Sequence, residues 1–316
     1  MSDRTGPDGR SKTTKPTAAK TGAAKSAAAD RTPGRLAVRK THKLFIGGAF
    51  PRSESGRSYP VHAADGTALA FAAKASRKDL RDAVVAARGA FAGWSGATAY
   101  NRGQVLYRVA ELMEGRAAQF AAEVADAEGI RRGQAETVVA ATIDRWVWYA
   151  GWSDKVAQIA GAANPVAGPY FNFSVPEPTG VVAIVAPADS SLLGLVSVLA
   201  PVIVTGNTAV VLASEDRPLP SVALTEVLAT SDVPAGVVNV LTGSAAELAP
   251  VAAAHMDVNA IDLTGVPAAG RADLERAAAA NLKRVLGGDE SFGDAPGTRR
   301  LLSALEIKTV WHPVGI

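Results

Sequence analysis

The chain has 316 residues, 48% of them hydrophobic and 20% charged, a globular composition with room for about two ordinary domains. It has no cysteine, which excludes disulfides, thiolate metal sites and a cysteine nucleophile, and its four histidines (His42, His62, His255, His312) stand singly without metal-ligand spacing, so no metal is expected. The net charge of +3 is uneven: residues 1–43 carry eleven Lys/Arg against three Asp, a net +8, and the remainder carries −5, so the high pI belongs to the tail and the folded part offers no basic face to nucleic acid.

Residues 1–42 contain almost no apolar side chain larger than Ala and read as a disordered basic tail, with spaced lysines able to meet an acidic surface loosely. Neither this tail nor any later run has the apolar length of a signal or a membrane span, and the chain is expected to be cytoplasmic. Leu44-Phe45-Ile46 followed by Gly47-Gly48 predicts a strand and a turn. Ser76 with Asp79 three residues later predicts the capped start of a helix, continued by Leu80, Val84, Ala87 and Phe91. Two further helices follow, with apolar faces at Val105, Val109, Leu112 and Met113 and at Phe120 and Val124. The next holds Trp146, Trp148, Tyr149 and Trp152, read as core rather than as a base-stacking or interface cluster.

From Val175 the pattern alternates. "GVVAIVAP", "NTAVVLA", "GVVNVL" and "VNAIDLTG" read as buried strands, separated by helix-like stretches such as "SLLGLVSVLAPVIVT" and "AAELAPVAAA". Val-rich strands alternating with helices predict an α/β fold with a Rossmann-type parallel sheet covered on both faces, with ligands at the strand carboxyl ends. Neither a Walker A motif nor G-x-G-x-x-G is present. The turn Ala188-Asp189-Ser190-Ser191 between strand and helix invites a serine-nucleophile reading. It lacks the G-x-S-x-G elbow and a histidine placed to act as base, so Ser191, with Ser190 as alternative, is expected to be a helix N-cap.

Several blocks, "GPYFNFSVPEPTGVVAIVAP", "LAPVIVTGNTAVVLASEDRPLP", "DVPAGVVNVLTG" and "IDLTGVPAAGR", together with "KLFIGGAFPRSESGRSYPV", resemble the NAD(P)-dependent aldehyde dehydrogenase superfamily in order and spacing. The resemblance implies an aldehyde-dehydrogenase-like N-terminal and coenzyme domain over residues 43–288. It also implies departures in the site. Where the family turn reads P-W-N-F-P, with the asparagine amide donating to an oxyanion, this chain has Asp189, an acceptor when ionised, and Ala188 in place of the tryptophan. Where the family has K-P-S-E, the chain ends Leu212-Ala213-Ser214-Glu215: the ribose-binding glutamate is kept and the lysine lost. Val266 replaces the serine of F-T-G-S, with Gly265 kept, and the segment holding the general-base glutamate of L-E-L-G-G-K is missing. The cofactor-binding candidates are therefore Glu215, Gly265 and Gly243, for NAD or NADP, and no catalytic residue is assigned.

In the family a catalytic domain with the cysteine comes next. Here a linker at 289–305 leads to "IKTVWHPVGI", which resembles the family's C-terminal oligomerisation strand at 306–316. The implied function is a catalytically inactive structural or regulatory subunit, in an oligomer with a full-length aldehyde dehydrogenase or as a homo-oligomer. Two alternatives stay open: an NAD(P)-dependent oxidoreductase completed by a partner's catalytic residues, and a non-catalytic nucleotide sensor.

Overall fold

The computed structural model describes residues 38–288 and 291–315, so the expected tail up to residue 37 lies outside the described residues. In chain order the elements are β1 (Thr41–His42), β2 (Ser58–His62), β3 (Ala68–Ala73), α1 (Arg77–Gly96), α2 (Ala99–Glu114), α3 (Ala117–Glu128), α4 (Arg132–Trp152), α5 (Val156–Ala160), β4 (Ala162–Asn164), β5 (Tyr170–Pro178) and β6 (Val181–Val185). They continue as α6 (Leu193–Val204), β7 (Thr208–Leu212), α7 (Leu219–Thr230), β8 (Val238–Leu241), α8 (Ala245–Ala254), β9 (Ala260–Asp262), α9 (Ala268–Ala279), β10 (Arg284–Leu286), α10 (Arg299–Ser303) and β11 (Leu305–Pro313). Among the described residues no helix is long and apolar enough to cross a membrane.

The predicted start of α1 forms as a capping box. The Ser76 side chain accepts from the N–H groups of Lys78 and Asp79, and the Asp79 carboxylate accepts from the N–H of Ser76 at 2.8 Å. Asp79 also holds Ser53 Oγ at 2.7 Å, which ties the entry loop to the helix. Trp146 and Tyr149 are fully buried, which bears out their reading as core; Trp148 and Trp152 are half-buried and pack against the same cluster.

The centre is a five-stranded parallel sheet in the order β10-β9-β6-β7-β8. Side chains alternate across a strand, so each strand feeds two cores. Val182, Ile184, Ala209, Val211, Val238, Val240 and Ala260 face α2, α3, α4, α6 and α7. Val181, Ala183, Val185, Val210, Leu212, Ile261 and Leu263 face α1, α8 and α9. Both faces being covered explains why the strands read as continuous apolar runs. β10, the edge strand, is too short and too charged to stand out in "NLKRVL".

Residues 39–316 form one compact unit. The segment expected as a linker carries α10, whose Leu301 is fully buried in the core on the α6 side. β11 then pairs antiparallel with β5 residue for residue, from Leu305↔Pro178 to Pro313↔Tyr170, and β4 flanks β5 on its other side. This three-stranded arm has little core of its own: all of β11 after Leu305 is exposed, as are Tyr170 and Phe171.

Candidate functional site

The chain leaves β6 toward β7 and β8 on one side and returns to β9 on the other, so the sheet reverses direction between β6 and β9. A crevice outside the carboxyl ends of two such strands is where doubly wound sheets bind ligands. Its β6 lip is the turn Pro187–Ser191, with Ala188 and Asp189 exposed. Leu192, rather than either expected serine, occupies the N-cap of α6, and Ser190 just before it accepts through its Oγ from the N–H of Gly194 at 2.8 Å. Ser191 is buried, and its N–H and Oγ both donate to Glu128 Oε1, at 2.8 and 2.7 Å. A hydroxyl so enclosed and so bound is not presented to a substrate, which removes Ser191 as a nucleophile.

The β9 lip is Leu263-Thr264-Gly265-Val266. Gly265 N–H donates to Val185 O at 3.0 Å, and a Cβ at Gly265 would lie 2.2 Å from Ala186 O. The glycine is required there because two backbones touch. On the α8–α9 side lies a cleft of about 330 Å³ between the two helices, walled by Val185, Ala249, Pro250, Gly265, Val266 and Leu274. These aliphatic walls suit the faces of a flat ring system, and the volume is at the low end of the roughly 300–1,000 Å³ of small-molecule sites.

The other two candidates meet elsewhere on the same rim. Glu215 is exposed just beyond β7. Gly243, past β8 with φ +127°, backs onto Lys74 and Ala75, where a Cβ would lie 3.0 Å from Ala75 N. Both neighbour the Tyr59 hydroxyl, which is itself buried. Burial and then the charge of Glu215 push its pKa up, with a smaller push from Asp216, while the Gly243 N–H works in the opposite direction. Tyr59 carries no motif and was not foreseen from sequence.

A third cluster was also not foreseen. Asp262, at the end of β9, is completely buried. Its Oδ1 accepts from Thr264 N–H at 2.9 Å and from Thr264 Oγ1 at 2.5 Å, and its Oδ2 pairs with Arg300 Nη1 of α10 at 2.7 Å. Arg300 Nη2 donates to Thr264 Oγ1 at 2.8 Å. Farther along the same segment, Arg145 of α4 donates to the carbonyls of Phe292 and Asp294, each at 2.9 Å, and to Ser197 Oγ of α6. Among the described residues no group of His, Asp and Glu side chains could hold a metal ion.

The family model for aldehyde dehydrogenases matches residues 50–291. The chain belongs to the aldehyde dehydrogenase family. Human cytosolic 10-formyltetrahydrofolate dehydrogenase is 34% identical over 256 residues, 78% of this chain and 28% of that protein. Human retinal dehydrogenase 2 is 35% identical over 271 residues, 81% of this chain and 51% of that protein. The NAD+ complex of a Bacillus cereus aldehyde dehydrogenase superposes with a TM-score of 0.74 at 28% identity, covering 78% of this chain and 50% of that one. PnpE solved with nicotinamide adenine dinucleotide gives 0.74 at 30% identity, over 78% of this chain and 51% of that one. The chain thus spans about half the length of these aldehyde dehydrogenases. The expected α/β aldehyde dehydrogenase fold is borne out.

A nicotinamide dinucleotide, which the family implies, meets unequal ends in this chain. The α8–α9 cleft and the Glu215 carboxylate suit a base and a ribose. The β6/β9 lips offer the exposed Asp189 and, on the α6 side, a buried carboxylate already paired within the protein. The groups present therefore fit the adenosine end and not the nicotinamide end.

Proposed function

We infer that this aldehyde dehydrogenase family chain is a non-catalytic subunit of an oligomer, pairing through its arm with a full-length aldehyde dehydrogenase or with a second copy of itself. The observation that carries the reading is the arm. Phe171, Phe173, Val175 and Val310 share one face of it by register, and Tyr170, Ile307 and Trp311 share the other. Phe171 is 53% exposed and Trp311 58%, and among the described residues their ring neighbours, Phe173 and Tyr170, belong to the arm itself. A sheet apolar on both faces with a free outer edge needs a partner to stay soluble.

The chemistry agrees. Without cysteine the chain supplies no thiolate to add to an aldehyde, and Asp189 cannot donate to an oxyanion as an amide does. On this reading any coenzyme contact is a remnant: Gly265 in the cleft, and Glu215 with Gly243 at the rim, for NAD or NADP.

Native purification from the source cells, with the intact mass of the eluted complex, tests the proposal. Co-elution of a full-length aldehyde dehydrogenase in fixed ratio supports the hetero-oligomer, and a discrete homo-oligomer supports self-association. A stable, soluble monomer overturns the reading. Nucleotide sensing is the second reading, favoured by the aliphatic cleft beside Gly265. An unchanged melting temperature with adenine nucleotides would sink it.

A further inference from the structure

The segment after β10 does more than join the sheet to the arm. Gly287, with φ +120°, turns the chain tightly over β9, where a Cβ would lie 2.9 Å from Thr264 N. The chain then reaches the β6 side. Phe292 packs on the α6-side core, and its ring would lie 3.2 Å from a Cβ on Gly194, in the first turn of α6. Arg145 holds this point by the carbonyls of Phe292 and Asp294. The chain next returns to β9, where Arg300 closes on Asp262 and Thr264. It is fastened by Arg145 beside the first turns of α6 and by Arg300 on the β9 lip, charged side chains whose partners lie within the protein.

We propose that residues 291–304 form a strap closing the α6 side of the β6/β9 crevice, so that the chain takes a nucleoside mono- or diphosphate and gives no seat to the second nucleoside of a dinucleotide. Three observations carry this. The α8–α9 cleft, on the opposite side of the sheet, stays open but has room for one ring system only. A dinucleotide seated there must extend past the carboxyl ends of β9 and β6 to place its other half. That path leads to Phe292 and to the Arg300 guanidinium, which is spent on Asp262 rather than offered to a ligand.

Calorimetric titration of the purified full chain with AMP, ADP, ADP-ribose and NAD+ tests the strap. Affinity is expected to plateau at ADP, with ADP-ribose and NAD+ within about threefold of it, because groups beyond the diphosphate gain no contacts. NAD+ binding about tenfold or more tighter than ADP, or no binding of any of the four, overturns the proposal. The double variant D262A/R300A unfastens the β9 anchor without leaving a lone buried charge. In it NAD+ is expected to overtake ADP by about fivefold or more, and amide exchange over 291–298 to speed up. A folded variant in which neither changes also overturns it. If the variant fails to fold, the four-ligand series on the native chain decides alone. The series does not depend on oligomeric state, so it stands or falls separately from the subunit reading.

Discussion

Asp262 shows how one residue commits the chain to a compensating one. A carboxylate at the end of a central strand, fully buried, is tolerated only because Arg300 and Thr264 satisfy it. Replacing Arg300 by Met should cost about 3–5 kcal/mol, since a charge is then buried without its partner. The pair replacement D262A/R300A should cost much less, and a double-mutant cycle in urea measures the coupling. Glu123 presents the opposite sign. Burial pushes its carboxyl pKa up, Gln119 bonds one oxygen at 2.9 Å, and Oε2 is buried without a partner. Glu226 adds to the upward push, while Arg116 and Lys40 oppose it. The folded state therefore holds the proton more tightly than the unfolded chain. Ionised Glu123 lowers stability above its folded pKa, and the penalty vanishes below the unfolded value. Glu123→Gln should stabilise the protein at pH 7 by up to about 1 kcal/mol and change nothing in acid, as paired denaturation curves would record. At this scale the sequence was only partly legible. Asp189, Ala188 and Val266 stand out against a known motif. Asp262 and Arg300 are 38 residues apart and match no pattern, and the only signal was a lone charge ending an apolar run.

At the scale of elements, the four Val-rich strands were legible because a doubly covered strand must be apolar on both sides, and α1 was legible because Ser76 and Asp79 cap it by local geometry alone. β10 and α10 were not, because three- and five-residue elements take their stability from what they pack against. The C-terminal strand was anticipated from resemblance, and its pairing is now explicit. Within it Glu306 stands directly opposite Glu177, an unfavourable cross-strand pair. Lys308 relieves it by an ion pair to Glu177, and Arg284 reaches Glu306 at 3.6 Å. The arm's side chains thus settle its own register while leaving its apolar faces uncovered. Phe171→Glu with Phe173→Glu should dissociate the oligomer without altering the circular dichroism of the subunit. Sedimentation velocity is the check, and an unchanged sedimentation coefficient would place the interface elsewhere.

Taken whole, the molecule closes its α6-side core with the segment that follows β10. The α6-side face of β6 and β9 would otherwise end in open apolar surface. Instead Leu301, Ala304 and Leu305 complete the same cluster as Ile184, Leu195 and Ala260, and Asn207 Nδ2 fixes the exit by bonding Ala304 O at 2.9 Å. The strap is therefore part of the core as well as a cover for the crevice, and the two roles can be separated experimentally. Leu301→Ala removes a fully buried side chain that makes no part of the Arg300–Asp262 pair and should cost about 2–5 kcal/mol, as for other large-to-small core changes. Replacing 291–304 by a Gly/Ser segment of equal length keeps β11 within reach of β5 but uncovers the sheet. The expected result is dye binding to exposed apolar surface and a broad, weakly cooperative melt. A sharp melt near the native temperature would mean that the sheet closes without the strap, and that residues 291–304 serve the crevice alone.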